Sequence, residues 1–65
     1  MDIGSRIRFH RVMRGLSQRD LAASLRMAPA QLSRYETGRT QPGLAVLDRI
    51  AKVLRVPVSD FFFGR

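Results

Sequence analysis

The stretch Gln18–Tyr35, QRDLAASLRMAPAQLSRY, decides how this chain folds. It reads as two short helices with a tight turn between them. Ser17 stands just before it, and Asp20 lies in the first turn. A serine at that point accepts from an early backbone N–H while the Asp20 carboxylate reaches back, a capping box with Asp in place of Glu. Asp20 also meets the positive end of the helix dipole. Leu21 and Leu25 share one face at i, i+4 spacing, and Ala22 beside them is small. The first helix ends near Leu25, so Arg26, Met27 and Ala28 form the turn. Pro29 suits the first position of the second helix, where an N–H would have no intrahelical partner. Leu32 and Tyr35 give that helix a packing side, and Gly38 is a left-handed stop.

Outward from this pair, Gly15, Pro29, Gly38, Pro42–Gly43, Pro57 and Gly64 cut the chain into five pieces of helical character. No segment alternates apolar and polar residues for long enough to make a strand. The piece from about Ile3 to Arg14 carries two competing stripes. Ile3 and Ile7 share a face with Arg11, while Phe9, Val12, Met13 and Leu16 form the other. After the pair, Leu44, Leu47, Ile50, Ala51 and Leu54 follow the helical rule closely. Pro57 opens a last piece that ends in Phe61, Phe62 and Phe63. The pattern predicts an all-α, compact five-helix bundle. It is a single domain over residues 1–65, with the tightly joined pair at about 17–36.

A chain of 65 residues has room for one domain. Domains this small bury only about 60% of their unfolded surface, so the core must be well packed. There is no Cys, hence no disulfide and no thiolate metal site, which fits a reducing cytoplasm. No apolar run approaches the roughly 20 residues of a membrane span, and the N-terminus lacks a signal-peptide stretch. Twelve Lys and Arg face five acids, a net charge of +7, and eleven of the twelve are Arg. Arginine offers a planar fork of donors that matches phosphate and guanine edges. Such a surface draws polyanions from a distance. Solubility alone gives no reason to prefer Arg so heavily over Lys. One His and the acids Asp2, Asp20, Glu36, Asp48 and Asp60 make no nucleophile–base set and no metal cluster. The expectation is therefore no enzyme, no cofactor and no metal.

Two helices joined this tightly, with a small residue on the first, form a helix-turn-helix arrangement. Such a unit lays the N-terminal part of its second helix in the major groove of DNA. The chain resembles the Cro/C1-type (XRE-like) helix-turn-helix family over essentially its whole length. The resemblance is carried by Gly15-Leu16-Ser17-Gln18 followed by Leu21-Ala22, by Leu32-Ser33-Arg34-Tyr35-Glu36, and by Gly38-Arg39-Thr40-Gln41-Pro42. Leu47, Ile50-Ala51, Leu54 and Val56 complete it. Each block alone is weak; together they fix several helix lengths and loops at once.

The resemblance implies a lambda-repressor-like bundle whose third helix reads duplex DNA. It implies a transcriptional regulator, of the repressor kind, acting as a dimer on a palindromic operator. Pro29, Ala30, Gln31, Ser33 and Arg34 are then the candidate base contacts, with a cap or a phosphate contact as the alternatives for Gln31. Arg34 is the candidate for a bidentate guanine contact, with phosphate binding the close alternative. Gln18 matches the family's phosphate-contacting glutamine, against a bland reading as a solvated surface residue. Arg19, Arg39, Thr40 and Gln41 are further phosphate candidates, the last three together with main-chain amides. Arg11 and Glu36 match a structural ion pair that links helix one to the end of helix three. That role keeps Arg11 away from DNA. Val58 and some of Phe61, Phe62 and Phe63 are candidates for the dimer contact; in the bland reading Phe61 and Phe62 complete the core and Phe63 is the better candidate.

Four positions depart from the family pattern. Arg26 stands where a left-handed Gly is usual, at a cost on the order of 1 kcal/mol. Ala28 replaces a Ser or Thr cap and loses its acceptor. His10 stands at a usual core position and is expected as a satisfied core histidine. Phe9 and Met13 stand where the family is polar: either helix one is rotated or an apolar patch faces a partner. The second functional class is therefore a protein-interaction module, such as an antitoxin binding its toxin through Phe9, Met13 or Phe63. RNA binding is a third and weaker reading, because no aromatic stacking platform is visible.

Overall fold

The computed structural model describes residues 2–62. In chain order it contains α1 (Ile3–Met13), α2 (Gln18–Leu25), α3 (Pro29–Glu36), α4 (Leu44–Leu54) and a 3-10 turn at Val58–Phe61. The expected fifth helix is thus a single tight turn. Pro57 fixes its entry, and Asp60 N–H donates back to the Pro57 carbonyl at 2.9 Å, a three-residue closure too short for an α-helix. No strand occurs among the described residues.

Local chemistry sets the helix ends. The Asp2 carboxylate accepts from Ser5 N–H at 2.8 Å and caps α1. That backbone hydrogen bond holds the Asp2 carboxyl below the ordinary carboxylate range. At α2 the Ser17 hydroxyl accepts from Asp20 N–H at 2.9 Å, and Ser17 N–H donates to the Asp20 carboxylate at 3.2 Å. This reciprocal box starts the helix where the sequence places it. Arg26 closes α2 in the left-handed region with φ 57°, so Met27 N–H reaches the Ala22 carbonyl at 3.0 Å. Arg55 closes α4 in the same way with φ 58°, a second strained arginine that the sequence did not announce. Ala28 precedes α3 as its N-cap and provides no side-chain cap, as its methyl group dictates.

One cluster forms the core: Ile7, Leu21, Ala22, Leu25, Leu32, Leu47, Ile50, Ala51, Leu54 and Phe61. Every helix contributes to it, and Phe61 plugs it from the 3-10 turn. The ambiguity of α1 is resolved. Ile3, Ile7 and Arg11 turn inward, whereas Phe9 (48% exposed), Val12 (56%) and Met13 (69%) face out. Leu16 packs against the core from the loop. Helix one is therefore not rotated.

Two expectations need correction. Leu44 belongs to the apolar pattern of α4 but is 69% exposed. At the first position of the helix its side chain leans back past the end of the packed face. His10 is half-buried rather than a core residue. Its ring meets Phe9 and Phe61 edge-on, with centroids 5.2 Å and 6.0 Å away.

Gly4 is a buried contact that sequence reading did not single out. α1 crosses the end of α3 so closely there that an added Cβ would lie 2.3 Å from the Tyr35 carbonyl oxygen and 2.7 Å from that of Glu36. Backbone oxygens in a helix cannot step aside as a flexible side chain can. Gly4→Ala is expected to lower stability by about 3 kcal/mol, the upper end for overpacking, despite alanine's better helix propensity. Urea unfolding measures this; an unchanged midpoint would show that α1 can back away from α3 freely.

Candidate nucleic-acid interface

The outer side of the N-terminal half of α3 is exposed, while Leu32 on its inner side is buried in the core. Gln31 and Leu32 N–H both donate to the Ala28 carbonyl, at 3.0 and 3.3 Å. Pro29 has no N–H, so Ala30 is left with an amide that finds no acceptor among the described residues. Pro29, Ala30 and Arg34 are exposed, while Gln31 and Ser33 are half-buried. The Arg34 guanidinium donates to the Gln31 side-chain oxygen at 3.2 Å, which draws it along the helix toward that free end. On the opposite side Leu32 and Tyr35 are buried and fix the angle of the helix.

The other end of α3 is held by a buried network. Arg11 Nε donates to Glu36 Oε2 at 2.7 Å, and Arg11 Nη2 to Glu36 Oε1 at 3.0 Å. Arg11 Nη1 donates to the Leu16 carbonyl at 2.8 Å. The Gln18 side-chain amide completes the set by donating to Glu36 Oε1 at 2.9 Å. Gln18 is thus neither a loose surface residue nor wholly free for a ligand. One amide hydrogen is committed to Glu36, and its second hydrogen and its oxygen remain. The backbone N–H groups of Gln18 and Arg19, at the start of α2, have no acceptor among the described residues. That helix start therefore offers donors and a positive dipole end together.

The loop after α3 differs from expectation in one respect. Arg39, Thr40 and Gln41 are exposed. The main-chain amides of Arg39 and Thr40, however, both donate to the Arg34 carbonyl, at 2.9 and 3.3 Å. They satisfy the loose end of α3. At these two positions, side chains rather than amides remain to meet a ligand. Arg19, Arg26, Arg34 and Arg39 are all exposed, and none forms a salt bridge among the described residues. The pairs among the described residues are Arg11–Glu36 and the exposed Asp48–Lys52 at 3.1 Å.

The apolar candidates scatter. Phe9 and Met13 lie together on the outer face of α1. Val58 is half-buried against the core, Phe62 is 47% exposed, and Phe63 lies outside the described residues. Sequence reading missed Arg49, whose guanidinium donates to the Leu25 carbonyl and closes the end of α2 from α4. Nothing local in the sequence marks that contact. Gly4 did carry a signal, since a lone glycine inside a helical pattern often marks a close backbone approach.

A helix-turn-helix family model matches residues 7–61. The chain belongs to the Cro/C1-type (XRE-like) helix-turn-helix family. An HTH-type transcriptional regulator of Sinorhizobium medicae is 45% identical over 60 residues, covering 92% of this chain and 43% of that protein. The chain thus spans less than half the length of this relative. The N-terminal DNA binding domain of SinR from Bacillus subtilis superposes with a TM-score of 0.87 at 30% identity, over 97% of this chain and 93% of that one. A structure of SinR, the master regulator for biofilm formation, in complex with DNA matches at 31% identity with a TM-score of 0.87. It covers 94% of this chain and 98% of its own. No helix among the described residues is long and apolar enough to cross a membrane.

The ion pair that anchors this Cro/C1-type fold gives a direct test. Arg11→Met leaves the Glu36 carboxylate buried without its counter-charge and is expected to cost about 3–5 kcal/mol. Arg11→Met combined with Glu36→Leu removes both charges and should recover most of that loss. Denaturant midpoints of the two variants decide it; equal losses would mean the pair is not coupled.

Proposed function

We propose that this domain binds duplex DNA sequence-specifically, with the N-terminal half of α3 in the major groove. The observation that carries this is the free end of α3. Pro29, Ala30, Gln31, Ser33 and Arg34 line its accessible side, while a packed core and a buried ion pair hold its back and far end. The arginines on α2, the turn and the following loop, which form no salt bridge among the described residues, suit a polyanion. The DNA complex of SinR supports the same reading.

In this scheme Arg34 makes the bidentate guanine contact, held in direction by Gln31. Ala30 and Pro29 offer apolar contact to a thymine methyl. Gln18 meets a phosphate with its second amide hydrogen, helped by the N–H groups at the start of α2. Glu36 orients that amide, and Arg11 cancels the carboxylate charge that would otherwise repel the phosphate. The side chains of Arg19, Arg39, Thr40 and Gln41 supply further backbone contacts. The domain acts as a homodimer through Val58, Phe62 and Phe63 on a palindromic operator, as a transcriptional regulator of the repressor kind. Its place is the cytoplasm, on the nucleoid.

Selection from random duplexes tests the core of this proposal. A palindrome with half-sites about one helical turn apart is the expected product. Against it, Arg34→Ala should lose about 1–3 kcal/mol of discrimination at one base pair per half-site, and Arg19→Ala should weaken all sequences alike. Uniform loss from Arg34→Ala would reassign that residue to phosphate. Failure to enrich any site would sink sequence-specific binding altogether.

A further inference from the structure

α1 has a face that the bundle does not use. At about 100° per residue, Val12, Ser5, Phe9 and Met13 fall in one stripe, away from Ile3, Ile7 and Arg11. Phe9, Val12 and Met13 each expose about half or more of the residue. Together with Ser5, Arg8 and Glu36 they line an open groove of about 490 Å³. Arg8 flanks the stripe on the Val12 side and Arg6 on the Met13 side. Neither arginine forms a salt bridge among the described residues. Glu36 is buried, its charge already met by Arg11. The groove is therefore lined largely by apolar side chains with Arg8 at one edge, while Arg6, half-buried, lies outside the lining beyond Met13.

Three exposed apolar residues gathered on one helix of so small a domain mark an interaction site. Duplex DNA does not fit it, since Phe9, Val12 and Met13 offer phosphate nothing. The groove also borders Glu36, which lies about 10 Å along α3 from Pro29. A second copy of the same face does not fit either, because it would bring Arg6 and Arg8 against their own kind. An occupant of opposite charge with an apolar stripe satisfies both features. We infer that the α1 groove takes an acidic amphipathic helix of a partner protein. Apolar side chains at i, i+3 and i+7 would sit on Phe9, Val12 and Met13, and flanking carboxylates would meet Arg6 and Arg8. The inference is independent of which sequence, if any, α3 reads.

The probe is a fluorescein-labelled designed helix with leucines at i, i+3, i+4 and i+7 and glutamates on both flanks. Its twin carries lysines on the flanks. Fluorescence anisotropy should show the glutamate peptide binding at least tenfold tighter than the lysine peptide. Phe9→Ser should weaken it at least tenfold, and Arg8→Glu should reverse the order of the two peptides. Arg55→Glu, on the C-cap of α4 and outside the groove lining, should leave binding within twofold. These substitutions are at exposed positions, and circular dichroism of each variant checks that it folds. Equal weakening by Arg8→Glu and Arg55→Glu would reduce the effect to net charge and overturn the inference. So would binding that ignores Phe9→Ser. A wild-type dimer in sedimentation that Phe9→Ser dissociates would make the occupant a second copy and overturn it as well.

Discussion

A guanidinium on α1 and a carboxylate at the end of α3 are both buried, and neither could stay there alone. Removing the partner of a buried charge costs far more than the pair itself contributes. Their mutual contact is therefore a constraint on where the two helices can be. Arg11 spends its remaining donor on the Leu16 carbonyl, and Glu36 accepts a further hydrogen bond from Gln18. No buried side-chain polar atom is left without a partner among the described residues. One ion pair thus fixes the crossing of α1 over α3, the path of the loop after α1, and the starting point of α2. The glycine at position 4 lets the two backbones come near enough for this to happen.

The same arrangement separates two kinds of electrostatics. Inside, one positive charge is cancelled and geometrically fixed. Outside, arginines on α2, the turn, α3 and the following loop have no acidic partners among the described residues. Exposed ion pairs contribute little stability, so the chain loses little by omitting them. What it keeps is a concentrated positive field on a very small body. The core of aliphatic residues and Phe61 must then hold the fold against that self-repulsion.

The boundaries of α2, the turn and α3 were legible because each is marked by a residue whose chemistry fits one place. Ser17 and Asp20 suit only a helix start, and Pro29 suits only a first helical position. The inward face of α1 was not legible from its periodicity, although the family resemblance paired Arg11 with Glu36. Arg11 interrupts what would be an apolar stripe, and the residue that makes it a core position lies far along the chain at Glu36. The run Phe61, Phe62, Phe63 has no periodicity to say which ring is buried; a 3-10 turn after Pro57 selects Phe61. Among the candidate interface residues, position along α3 separated Leu32 and Tyr35 from the accessible set. The link from Gln18 to Glu36 depends on two helices meeting, and the capture of the Arg39 and Thr40 amides depends on a loop closing back on Arg34. Neither leaves a trace in local sequence.

The contact from Arg49 to the Leu25 carbonyl has a bearing on how divisible this molecule is. The turn between α2 and α3 is closed on one side by a residue of α4, and the far end of α3 is closed by a residue of α1. Both closures come from outside the pair they stabilise. The two helices meet each other directly through Leu21, Ala22 and Leu32 and through the Gln18–Glu36 hydrogen bond, but an excised peptide spanning them would lose the closures that hold their ends. Cooperativity is built in from the two ends of the chain inward: the segment that carries the surface chemistry becomes ordered only when everything around it does.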